Sequence, residues 1–216
     1  VADRPGSDRW LIFIGYLMGL SIGVHLLNLL AIPAIVLVYY FRNYKPSTKG
    51  VVLAMSTAVV ILGVVLYGII PGFVEVASWF ELFFVNTLGF SFNTGLFIYI
   101  LLTLAALAWG LHETYNEKNY VRMAISFIVA FTLVGIPFFG SHIVLGLIIV
   151  AGMSYFFFAK REKINARWLN TALAMITVIL IGYSTYTVIV IRSAANPPMD
   201  QNSPDNVFAL KYYLNR

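Results

Sequence analysis

Ser21, His25 and Asn28 are the three polar side chains of a long apolar run, Trp10 to Phe41. Their spacing is i, i+4, i+7, so on a continuous helix they share one face. An ionisable group at membrane depth costs about 2.5–3.5 kcal/mol when charged, so His25 marks a functional position by default. The competing role is structural: an imidazole bonded to a neighbouring helix, with Asn28 and Ser21 as packing contacts. In the functional role the three line a water-filled cavity that receives a polar headgroup. A second set lies in the tail IRSAANPPMDQNSPDN. Arg192 can reach a phosphate or lipid headgroup through bidentate hydrogen bonds, or serve as an interfacial anchor. Asp200 and Asp205 could act as acid/base groups or hold a cation, although acids in a Pro/Asn loop are mostly solvated. Glu75 and Glu81 are further outer-side acids. Their spacing of six does not put them on one helical face, which weakens a paired general acid/base role.

The elements that carry these residues are helices. The chain has 216 residues, of which 60% are hydrophobic and only 11% charged, with a mean hydropathy of +0.85. A soluble domain would carry about 25% charge. Several apolar stretches reach spanning length and strand-like alternation is absent, so the chain reads as an all-α integral membrane protein with about six to seven transmembrane helices. The opening run has an awkward length. At about 1.5 Å per residue it would reach roughly 48 Å, against a hydrocarbon core of about 30 Å. A broken helical pair at 10–41 fits, with the turn around Gly23 to Asn28. Gly15, Gly19 and Gly23 form a second stripe that suits close helix packing. Further crossings are expected at Val51–Ile70, closed by Pro71-Gly72, at Thr94–Leu111, at Met123–Phe139 with a bend near Gly135–Pro137, at Ile143–Ala159 and at Trp168–Ile191. A tight turn is expected at 140–142. The aromatic-rich stretch 73–93 is expected to lie amphipathically at the interface.

Charge orients these helices. Arg42, Lys45 and Lys49 make one loop basic, and Lys160, Arg161, Lys163 and Arg167 outweigh Glu162 in another. Both are expected in the cytoplasm, which puts 71–93, the turn at 140–142 and the tail after 192 on the outer, periplasmic side. The net charge of +5 is accounted for by such loops and does not suggest nucleic acid as a partner. With no cysteine there are no disulfides, thiolate metal sites or cysteine nucleophiles. There is no phosphate-binding Gly loop, nucleophile elbow or HExxH, hence no clear cofactor or metal motif, and a divalent metal requirement is open. No internal repeat favours a transporter. Val1 opens in a polar linker and Arg216 follows a Tyr-rich amphipathic segment, so the sequence reads as part of a longer chain. The expected organisation is a polytopic helical membrane module over 1–191 and an outer-side polar tail over 192–216.

The stretches GYLMGLSIGVHLLNLLAIPAI and IRSAANPPMDQNSPDN resemble a family of large bacterial membrane proteins. That family is related to the transmembrane protein 260-type protein O-mannosyltransferases. The pattern falls on Gly19, Leu20, Ser21 and His25, and on Arg192, Asn196, Pro197, Pro198 and Asp200, with the resemblance read over essentially all of the chain. It implies a GT-C-like glycosyltransferase module in the bacterial inner membrane. The implied donor is a polyprenyl-phosphate sugar, and the acceptor a protein or glycan. In such enzymes the catalytic acid lies in the first outer loop, which would precede Val1, and a soluble outer domain would follow Arg216. The catalytic residue is therefore not assigned within these residues. His25 and Arg192, with Asn28 and Ser21, are the candidates for the donor phosphate or its cavity; Asp200, Glu75 and Glu81 are the acid candidates. The alternative is a non-catalytic membrane subunit or scaffold of an envelope complex, with a transporter as a third reading.

Overall fold

The computed structural model describes residues 8–138, 142–161 and 164–214. The regular elements among the described residues are all helices, with no strand among them. They fall into two compact units. One takes the chain up to Leu66 together with Met175–Tyr186; the other takes Tyr67–Ala174 and the chain from Thr187 on.

The first unit holds α1 (Asp8–Ile22), α2 (Ala31–Asn43), α3 (Thr48–Gly63) and the later part of α8 (Ala166–Tyr183). The apolar run is interrupted after Ile22. Ser21 Oγ donates to the Met18 carbonyl at 2.8 Å, His25 is extended, and a 3₁₀ turn over Leu26–Leu30 leads into α2. Pro33 falls in the first turn of α2, where a missing N–H costs little. The glycine stripe explains how α1 packs. A Cβ on Gly19 would strike the Ile179 backbone, and one on Gly182 would strike the backbone of Gly19 and Leu20. α1 and α8 therefore meet almost backbone to backbone. α2 packs on α3, and Ser47 caps α3 by accepting the Gly50 N–H at 3.1 Å.

The second unit packs α4 (Ile70–Leu82), α5 (Thr94–Asn116), α6 (Tyr120–Leu133) and α7 (Ile143–Ala159) in series, with α10 (Val207–Leu214) laid on α4. Pro71 does not close a helix, contrary to the sequence expectation. A wide π-helical turn over Val64–Ile69 precedes it, and Pro71 sits in the first turn of α4, where its ring and missing N–H are tolerated. The stretch 73–93 also divides. Val74, Val76 and Ala77 enter a core with Tyr99, Phe138 and Val207, whereas Phe83, Phe90 and Phe92 stay exposed. The expected bend at Gly135–Pro137 is instead the end of α6, a turn in which Gly135 (φ 88°) lies against the backbone of Gly72. Of the turn expected at 140–142, residues 140 and 141 lie outside the described residues.

Among the described residues four helical stretches are long and apolar enough to cross a membrane: Leu26–Asn43, Thr48–Thr87, Thr94–Asn116 and Ala166–Ala194. Three more apolar helices, Arg9–Ile22, Tyr120–Leu133 and Ile143–Ala159, are shorter. The composition and these spans make this an integral membrane protein.

Candidate functional site

Of the sequence candidates, Arg192 and Asp200 come together. Arg192 is in the last turn of α9 (Thr187–Ala194), where a cation suits the negative helix end. The chain then turns through Asn196 in a left-handed conformation (φ 50°) and the Pro197-Pro198 pair, which brings Asp200 back beside α9. Ser193, 3% exposed, donates to Asp200 Oδ2 at 2.7 Å and fixes that carboxylate. Arg192, Ser193, Asp200, Gln201 and Tyr213 line a cavity of about 240 Å³, with Ile189 on its apolar side. The guanidinium of Arg192 forms no ion pair or hydrogen bond with any described residue, although a carboxylate lines the same cavity. Ser193, Gln201 and Tyr213 were not singled out by sequence. Only the position of Ser193 next to Arg192 hinted at its role, and nothing in the chain's pattern pointed to Tyr213, thirteen residues beyond Asp200.

Glu75 and Glu81 lie on α4 and are both committed elsewhere. Glu75 receives Lys211 Nζ of α10 on both oxygens, at 2.9 and 2.8 Å. Glu81, 1% exposed, accepts the N–H groups of Asn93 and Leu96 at the start of α5. Asn93 reaches it by adopting φ 72°, a conformation that asparagine tolerates. The carboxylate thus caps a helix N-terminus, where negative charge is favoured. A third buried acid, Glu113, pairs with Arg122 and accepts from Trp109 Nε1. Among the described residues no group of three or more His, Asp and Glu could hold a metal ion.

Ser21, His25 and Asn28 do not form the single stripe of a continuous helix, because the helix ends between them. Ser21 is turned to its own backbone, and His25 and Asn28 are exposed at the break. His25 Nδ1 accepts the Leu27 N–H at 3.2 Å. In the neutral ring the proton therefore sits on Nε2, a donor on an exposed side chain.

The break and its histidine lie inside a segment with known relatives. Residues 1–48 match the family model of the protein O-mannosyl-transferase TMEM260 N-terminal domain. Over this segment, less than a quarter of the chain, the sequence is similar to that domain. The match takes in Ser21, His25 and Asn28, and it leaves the Arg192–Asp200 cavity outside. No curated protein and no solved structure matches the chain.

Proposed function

We propose that this chain is the membrane part of a glycosyltransferase that moves a sugar from a polyprenyl-phosphate donor to a protein or glycan on the outer face of the membrane. The observation that carries this reading is the match of residues 1–48 to the TMEM260 N-terminal domain, which contains the helix break and His25. A phosphate leaving group needs hydrogen-bond donors or cations that stabilise its developing charge. At the break, His25 presents Nε2–H to the surroundings while Nδ1 is held by the backbone, so the ring is already oriented for that contact. Arg192 lines a cavity without a partner of its own and serves the sugar-bearing substrate. Placing the tail on the outer side follows from the basic loops 42–49 and 160–167. Glu75 and Glu81 have structural partners, and Asp200, the third of these acid candidates, lines a cavity.

The test is sugar transfer by the full-length protein in lipid vesicles, with His25→Ala and Arg192→Ala compared at matched expression. A loss of at least tenfold in both, equivalent to about 1.4 kcal/mol of barrier each, supports the assignment. Unchanged transfer in both variants defeats it.

A further inference from the structure

The cavity at the end of α9 holds two opposite charges that do not neutralise each other. Asp200 is held by Ser193 through one oxygen, which leaves its other oxygen and remaining lone pairs for a second donor. Arg192 keeps all five N–H donors. Gln201 adds an amide that both donates and accepts, and Tyr213, carried by α10, lines the same cavity. The Lys211–Glu75 pair pins α10 to α4, and Pro204, fully buried, anchors the connection between α9 and α10.

A phosphate fits this set poorly, since the Asp200 carboxylate that lines the same cavity repels what the guanidinium attracts. A neutral polyol fits it well. Adjacent hydroxyls can donate to Asp200 and accept from Arg192. The volume, about 240 Å³, falls below the roughly 300–1,000 Å³ of pockets for drug-sized ligands, which restricts it to a single ring. We propose that this cavity is a carbohydrate site that holds one sugar unit by two neighbouring hydroxyls, with Asp200 accepting and Arg192 donating. The choice of sugar among polyols rests on the glycosyl-transfer reading; the preference for a neutral ligand over an anion rests on the cavity.

The experiment is ligand-observed saturation-transfer NMR on the full-length protein in lipid nanodiscs, with D-mannose, D-glucose and inorganic phosphate as probes. At least one monosaccharide should bind, with a Kd raised tenfold or more by Asp200→Ala and by Arg192→Gln, and phosphate should not compete. Asp200→Asn, which preserves size and the contact with Ser193, should give an intermediate loss and guards against a folding artefact. Competition by phosphate, tighter phosphate binding in Asp200→Ala, sugar binding indifferent to all three substitutions, or no monosaccharide binding would each overturn the proposal. Transfer activity separates the two readings. Wild-type transfer without a sugar-dependent cavity removes only the carbohydrate site, whereas sugar binding without transfer from a lipid-phosphate donor removes only the enzymatic reading.

Discussion

The ion pair between Glu75 and Lys211 offers the sharpest energetic test of how the tail is held. Both carboxylate oxygens are within 2.9 Å of Nζ, and the side chains are 5% and 26% exposed. Removing one partner of a buried pair costs about 3–5 kcal/mol, because the other charge is left uncompensated. Lys211→Met strands the deeply buried carboxylate. The quarter exposure of the lysine allows some screening, so the expected cost is about 3 kcal/mol, the low end of that range. Glu75→Leu strands the lysine, which can extend its ammonium to solvent, for a cost of about 1 kcal/mol. The double variant removes both charges and should lie within about 1 kcal/mol of the wild type. The cycle therefore predicts a coupling of about 3–5 kcal/mol rather than additive losses. The assay is equilibrium unfolding in mixed micelles with rising SDS fraction, read by tryptophan fluorescence, since Trp79 of α4 packs edge-on against Phe138. Protease sensitivity of the tail after Ala194 should rise in Lys211→Met and return towards wild type in the double variant. Additive single effects, or Lys211→Met as stable as the wild type, would refute the reasoning.

Three further outcomes are expected. Glu81→Ala removes two charge-assisted bonds to the start of α5 and should cost about 3 kcal/mol or more in the same unfolding assay, while Glu81→Gln, which keeps one acceptor, should cost roughly half as much. Gly19→Val should cost about 1–3 kcal/mol by forcing α1 away from the α8 backbone, whereas the same change at Gly152, where an added Cβ meets nothing, should have little effect on packing. His25→Ala removes the cap on the 3₁₀ turn and should lower stability by only about 1 kcal/mol, so a much larger loss of transfer than of stability would separate its chemical role from its structural one.

The membrane class was legible because burial in lipid imposes composition directly, and Thr94–Leu111 was readable as a span from apolar length, whereas Ile143–Ala159 forms the expected helix but is shorter than the four long spans. Pro71 was misread because the effect of a proline depends on its position within a helical turn, and a preceding π-helical turn is set by packing rather than by local sequence. The length arithmetic favoured a break in Trp10–Phe41, and α1 does end at Ile22. It could not show that the break would redirect Ser21 to its own backbone, since a side-chain hydroxyl chooses between local and distant partners only once the helix end is fixed. Arg192 and Asp200 could be picked out as a motif. Their shared cavity also depends on Ser193 and on Tyr213 of α10, and the docking of α10 runs through a pairing 136 residues apart in sequence, Lys211 with Glu75. No local pattern encodes such a pairing.

The most direct measurement of the central claim is donor dependence. The full-length wild-type protein, reconstituted in vesicles, is supplied with a labelled sugar either on a polyprenyl phosphate or on a nucleotide, and label is followed into protein and glycan acceptors. The account predicts transfer from the polyprenyl-phosphate donor and none from the nucleotide sugar. Transfer from the nucleotide sugar alone, or from neither donor, would contradict it.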